Sequence, residues 1–166
     1  MAVWLAVLHL CAHASDAPRS GTFQVDEHWE DVQTRHEVAV DDAVQRLPIL
    51  LRPLVRPALT RSVWSCDAWR IQLAAHTIVL QCRGRPPLPL PADGSEVDLK
   101  LPDGRWVTLA GAAEANRIVV DASSRHGSQQ STWLFDDPDH MTVTRRLRSR
   151  WLRQDVTWTV RYRQVD

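Results

Sequence analysis

Over residues 156–163 the apolar and polar positions separate completely: Val156, Trp158, Val160 and Tyr162 fall on one face, Thr157, Thr159, Arg161 and Arg163 on the other. Period-two alternation predicts a strand with one buried and one wet face, which is the mark of an antiparallel sheet or barrel. The same rhythm recurs upstream. Residues 68–73 and 77–81 read as a hairpin turning at Ala74-Ala75-His76. Residues 97–101 and 106–109 flank the strong turn signal Pro102-Asp103-Gly104. Residues 117–121, 132–135 and 141–147 follow, with Asp136-Asp137-Pro138-Asp139 as a further turn. From Trp69 onward there are eight candidate strands, or nine with Gly21–Val25. Short turn-linked strands of this kind predict a mainly β chain, an up-and-down meander closing into a barrel or half-barrel.

The early chain keeps a different period. Residues 26–37 are charged and read as helical, and Asp41-Asp42 supply N-cap chemistry for a second piece. Val44, Leu47, Leu51, Leu54, Val55 and Ala58 then recur at near-helical spacing, over a helical segment of about 41–61. Pro48, Pro53 and Pro57 cannot all sit inside one straight helix, so a kinked helix or two short helices is predicted. This amphipathic piece either caps the sheet or lies on a membrane surface. Residues 83–91 hold four prolines and predict an extended polyproline-II connector.

The 166 residues suit one domain, able to bury roughly 70% of its unfolded surface. Residues 3–11 form a short apolar run, followed by Ala12-His13-Ala14. This predicts a secretory signal over 1–14, a mature domain over 15–166, and a periplasmic or secreted location. Of 20 Lys and Arg residues all but Lys100 are arginine, which suggests a high-GC bacterial genome. Export leaves Cys66 and Cys82 flanking the first hairpin, placed to bridge in an oxidising compartment. Cys66 is out of phase with Trp69, Ile71 and Leu73, so a bridge requires a local bulge or twist.

Formal net charge is zero, which gives no global attraction to nucleic acid. The end of the chain is nevertheless basic. Arg145, Arg146 and Arg148 form a candidate surface for an anionic partner at the membrane or envelope. Catalytic signals are weak: the histidines form no HExxH pair and the serines near His126 lack a GxSxG elbow. The aspartate-rich turn at 136–139 lacks the ordered oxygen series of a calcium loop. Neither a metal nor a cofactor is expected. Tryptophan is the outlier, with eight copies against one tyrosine. Trp69, Trp106, Trp133, Trp158 and Tyr162 are expected to line either a packed core or a pocket for a hydrophobic small molecule.

The order of these elements resembles the calycin group, the lipocalins and fatty-acid-binding proteins. Gly21-Thr22-Phe23 resembles their Gly-x-aromatic entry into the first strand. Residues 41–59 are similar to the helix-turn-helix lid of the fatty-acid-binding proteins, and 69–163 to their remaining strands. The resemblance implies a barrel that binds a lipid without catalysis. In that family the closing strand carries Arg-x-Tyr, which holds a fatty-acid carboxylate. Here the in-phase pair is Val160 and Tyr162, and Arg161 points to the other face. The expectation is therefore an exported binder of a neutral apolar ligand, or a filled barrel acting as an envelope interaction protein.

Overall fold

A computed structural model describes residues 19–101 and 104–165. The expected signal over 1–14 lies outside these residues, as do Pro102 and Asp103 of the expected turn. Strand β1 (Gly21–Val25) leads into helices α1 (Trp29–Gln45) and α2 (Arg52–Ser62). Nine strands follow: β2 (Ala68–Ala74), β3 (Thr77–Cys82), β4 (Leu88–Pro91), β5 (Asp93–Lys100), β6 (Trp106–Glu114), β7 (Arg117–Ser124), β8 (Gly127–Phe135), β9 (His140–Ser149) and β10 (Val156–Val165). They form a single antiparallel sheet in the order β4-β3-β2-β1-β10-β9-β8-β7-β6-β5, a meander curled into a nearly closed barrel. The fold class expected from the alternation is the one observed.

β10 keeps its predicted phase. Val156, Trp158, Val160 and Tyr162 are buried, while Arg161 and Arg163 face outward. β1 joins it to β2, with Phe23 opposite Gln164 on one side and Trp69 on the other. The barrel core gathers Phe23, Ile71, Ile78, Leu90, Ile118, Met141 and Tyr162, all almost fully buried. A second cluster of Val40, Val44, Leu59, Val63, Val156 and Trp158 fixes the helices onto the upper end of β10.

Two sequence expectations are corrected. Asp41 and Asp42 do not cap a helix; α1 runs through both, because Val32, Val40 and Val44 form one continuous buried stripe. The break comes later, where Pro48 disfavours helical geometry at Leu47. Pro53 then sits in the first turn of α2, and Pro57 lies inside it on the solvent face, where the carbonyl it leaves unbonded meets water. The proline-rich connector is also more ordered than expected. Leu88–Pro91 pairs with β3 in the register Leu80↔Leu88 and Ile78↔Leu90.

Those prolines explain where the barrel fails to zip. Alternate residues of a strand direct their N–H groups to opposite edges. Leu88, Leu90 and Ala92 turn theirs to β3, and the Ala92 N–H reaches His76 O at 3.1 Å. Pro89 and Pro91 therefore face the other edge with no donor at all. β5 does not pair there; all eight of its residues are exposed. Instead β4 packs across β6, where Gly111 leaves room for the Pro91 carbonyl and Leu90.

Cys66 and Cys82 form a disulfide, with Cα atoms 5.7 Å apart. Cys66 lies in the segment before β2, where it does not follow the phase of the strand.

Candidate binding site

The helical end of the barrel holds the chain's aromatic and polar side chains at close quarters. Alternation along β9 sends Met141, Val143 and Arg145 inward. Arg145 sits opposite Ser131 on β8 and Trp158 on β10, and both neighbours are buried. It is itself only 4% exposed, which corrects its expected place on an anion-facing surface. The outward Arg146 and Arg148 both engage Asp155, at 2.5 and 3.3 Å, and hold its carboxyl below the usual range.

The segment joining α2 to β2 closes over Arg145. Arg145 Nη1 donates to Trp64 O at 3.2 Å, and Trp158 Nε1 donates to the same carbonyl at 3.2 Å. Tyr162 Oη donates to Cys66 O at 2.7 Å. Three inward donors thus pin residues 64–66 against the barrel. The Arg145 guanidinium lies over Trp64 at 4.1 Å from the ring centroid and over Trp69 at 5.6 Å. Arg85, which is exposed, also lies over Trp64, at 4.7 Å. Trp69 meets Trp133 edge to face at 5.4 Å.

Burial sets the charge states. It lowers the Arg145 guanidinium to about 10, still charged at neutral pH, and raises the Tyr162 phenol to about 12. Burial, then the neighbouring Arg145, hold the His36 imidazole below its usual value. His36 Nε2 meets Ser65 Oγ at 3.0 Å, and its ring stands edge to face with Trp158.

Four of the five residues expected to line a ligand site come together here. Trp69, Trp133, Trp158 and Tyr162 all point inward and are buried. Trp106 does not. It is 61% exposed on the outer face of β6, under the Lys100 ammonium, because the inward phase of that strand belongs to Val107 and Leu109. Sequence reasoning missed Arg145, Trp64 and His36. The phase Met141-Val143-Arg145 was available as a signal, but the surrounding arginines disguised it.

Two openings lie at this end of the barrel, the first of them touching the cluster at Trp64 and Cys66. A cleft of about 510 Å³ is lined by Trp29, Trp64, Cys66, Cys82, Arg85 and Glu27. A more apolar groove of about 490 Å³ runs between α2 and the β7–β8 and β9–β10 turns, past Leu54, Val55, Leu147 and Trp151. Beside the groove, His126 accepts from Arg125 Nε at 2.7 Å, and the Ser124 hydroxyl donates to Gly127 O at 3.3 Å. At the other barrel end Asp137 Oδ1 accepts the Asp139 and His140 backbone N–H groups, forming a closed polar turn.

No protein-family model matches the chain, and no curated protein matches it. Solved structures do. A secretory abundant heat soluble protein from Ramazzottius varieornatus superposes with a TM-score of 0.57 at 9% identity, over 88% of this chain and 94% of that one. Lipid binding protein 8 of Caenorhabditis elegans gives 0.52 at 14% identity, over 89% and 94%. A fatty acid-binding protein from brain tissue of Drosophila melanogaster gives 0.50 at 14% identity, over 87% and 96%. The ten-stranded meander with two helices between its first and second strands is therefore the fold that these solved lipid- and fatty-acid-binding proteins share.

Proposed function

We propose that this protein is a non-catalytic binder of a hydrophobic small molecule, held at the helical end of the barrel. The observation that carries the reading is the packed indole cluster of Trp64, Trp69, Trp133 and Trp158 beside a cleft of ligand size. Ligand sites are mostly apolar concavities of about 300–1,000 Å³ with a few fixed polar groups. Burying ligand surface there contributes roughly 25 cal/mol per Å². The likeness to proteins described as lipid- and fatty-acid-binding supports the same reading. The protein acts after export, with residues 1–14 removed, and the Cys66–Cys82 bridge fits an oxidising compartment.

The test is native mass spectrometry of protein purified from its own host, followed by indole fluorescence titrated with straight-chain lipids. A retained mass that leaves on activation, and a saturable fluorescence change, are expected. No adduct and no response across chain lengths would sink the proposal. The mass of the mature chain reads export separately: cleavage after Ala14 is expected, and an intact Met1 start removes that part.

A further inference from the structure

The Cys66–Cys82 bridge has a third ligating side chain beside it. The sulfurs of Cys66 and Cys82 and the Asp67 carboxylate all lie within 4.8 Å of one another. Cys66 and Asp67 belong to the segment before β2, and Cys82 ends β3. The register that sets Trp69 opposite Cys82 brings them together. All three line the cleft of about 510 Å³, beside Trp64 and Arg85. Cys66 and Cys82 are otherwise buried, so the cleft is the way in.

These positions are held by more than the bridge. The Asp67 carbonyl accepts the Val25 N–H, the Ala68 carbonyl accepts the Arg83 N–H, and the Cys82 carbonyl accepts the Arg85 N–H, each at 3.0 Å. Tyr162 Oη donates to the Cys66 carbonyl at 2.7 Å. The backbone on both sides of the bond is therefore fixed from β1, β10 and the turn after β3, whatever the state of the sulfurs.

A disulfide forms from two thiols, so the same pair exists as a dithiol in the nascent chain and again after reduction. In reduction by a soluble dithiol each Cys sulfur gains one electron and one proton, and the reductant closes to its own disulfide. The Cys66 thiol then has an acceptor in Ala68 O, 2.7 Å from its sulfur. With the bond open, side-chain rotation lets the sulfurs part to the roughly 3.8 Å that two thiolates take on one tetrahedral zinc. The Asp67 carboxylate makes a third ligand, and the fourth position opens on the cleft. Charge favours the arrangement. Two thiolates and a carboxylate are balanced by a divalent cation together with Arg83, 3.0 Å from Asp67, and with Arg85 in the cleft. Neighbouring guanidinium groups also favour the thiolate form.

We propose that the reduced protein binds a thiophilic divalent cation of the zinc type through Cys66 Sγ, Cys82 Sγ and the Asp67 carboxylate. Binding expels the two thiol protons. Bridge and metal exclude one another: the metal shields the thiols from oxidation, and the bridge erases the site. The inference goes beyond the hydrophobic-ligand reading and does not depend on it.

The experiment reduces the full chain with a phosphine, removes the phosphine without air, and titrates Co²⁺ and then Zn²⁺ by absorbance. Wild type, Asp67→Asn, Cys66→Ser and Cys82→Ser are compared, with near-UV circular dichroism recorded before metal is added. Reduced wild type is expected to keep its near-UV signal and to develop a thiolate-to-cobalt charge-transfer band with the intense visible bands of a tetrahedral site. The bands saturate at one Co²⁺ per chain and are bleached by Zn²⁺; oxidised wild type develops none. Asp67→Asn, which retains both cysteines, is expected to weaken Co²⁺ binding about tenfold or more. Either serine variant is expected to lose the bands at concentrations that saturate wild type, and where one fails to fold Asp67→Asn decides alone. No charge-transfer band from reduced wild type overturns the site. So does loss of its near-UV signal on reduction, because no fold then holds the three ligands. Undiminished binding by Asp67→Asn overturns the three-ligand set, and bands in the oxidised protein place the metal elsewhere.

Discussion

At the residue scale the interior is organised around a charge that the fold itself only partly compensates. Removing water from a guanidinium costs several kcal/mol, and two indole faces and one carbonyl offset part of that. Arg145→Met keeps the length and discards the charge. In the ligand-free protein it is therefore expected to leave the thermal midpoint unchanged or higher; a large drop in a thermal melt would instead make Arg145 a stabilising residue. Tyr162→Phe is different, because it strands the buried Cys66 carbonyl. A loss of about 1–3 kcal/mol in urea denaturation is expected. His36 links the indole cluster to pH. Its imidazole, facing Arg145, Arg35, Glu27 and Ser65, stays neutral in the fold below the usual 6.5. The unfolded chain then binds a proton that the folded chain refuses, so stability falls as pH drops from 6.5 and levels off below the folded value. The lowered carboxyls of Asp93, Asp137 and Asp155 act only below 3.8. His36→Gln is expected to flatten the stability slope below pH 6.5. An unchanged slope in urea midpoints would place the titration elsewhere.

At the scale of elements, the barrel's seam is set by two strands of unusual composition. β4 supplies prolines and β6 supplies Ala110-Gly111-Ala112-Ala113. A Cβ at Gly111 would lie 2.9 Å from the Pro91 carbonyl oxygen and 3.0 Å from Leu90 Cβ. Gly111→Ala is expected to cost about 1–3 kcal/mol by prising β4 from β6, read as a lower urea midpoint. The Ala113 N–H to Ala92 O bond, 3.1 Å long, should exchange faster in the same variant. α1 and α2 depend less on local signals. Neither has a side-chain N-cap bond, and both are held mainly by packing on β10 and on each other.

For the whole molecule, the disulfide ties the cap segment to the barrel at the mouth of the cleft. The cysteines are 16 residues apart, a loop whose closure stabilises by about 3 kcal/mol in chain-entropy terms. Replacing both by serine is expected to lower the thermal midpoint by roughly 6–12 °C for a domain of this size. A shift of only a degree or two would show that the loop is already constrained without the bridge. The same segment carries Trp64 over Arg145, so loosening it also bears on the indole cluster.

Alternation along residues 68–82 and 106–163 was enough to establish the antiparallel meander, because each strand's inward and outward sets follow from a local period of two. It also placed Trp69, Trp133, Trp158 and Tyr162 inside. Local rules failed where the outcome depended on distant partners. Asp41 and Asp42 carry cap chemistry, yet the buried valine stripe of α1 overrides it. Pro89 and Pro91 suit a free connector, yet β3 provides a ladder that needs donors only from Leu88, Leu90 and Ala92. Trp106 has the composition of a pocket residue but the phase of a surface one. Arg145 is the plainest case. Its phase along β9 is a property of the sequence, but its meaning comes from Trp64, Trp69 and Ser131, which only the closed barrel brings around it. Alternation fixes which way a side chain points. The charges and donors it meets there are set by strands far apart in the chain, and that was decided by the tertiary structure alone.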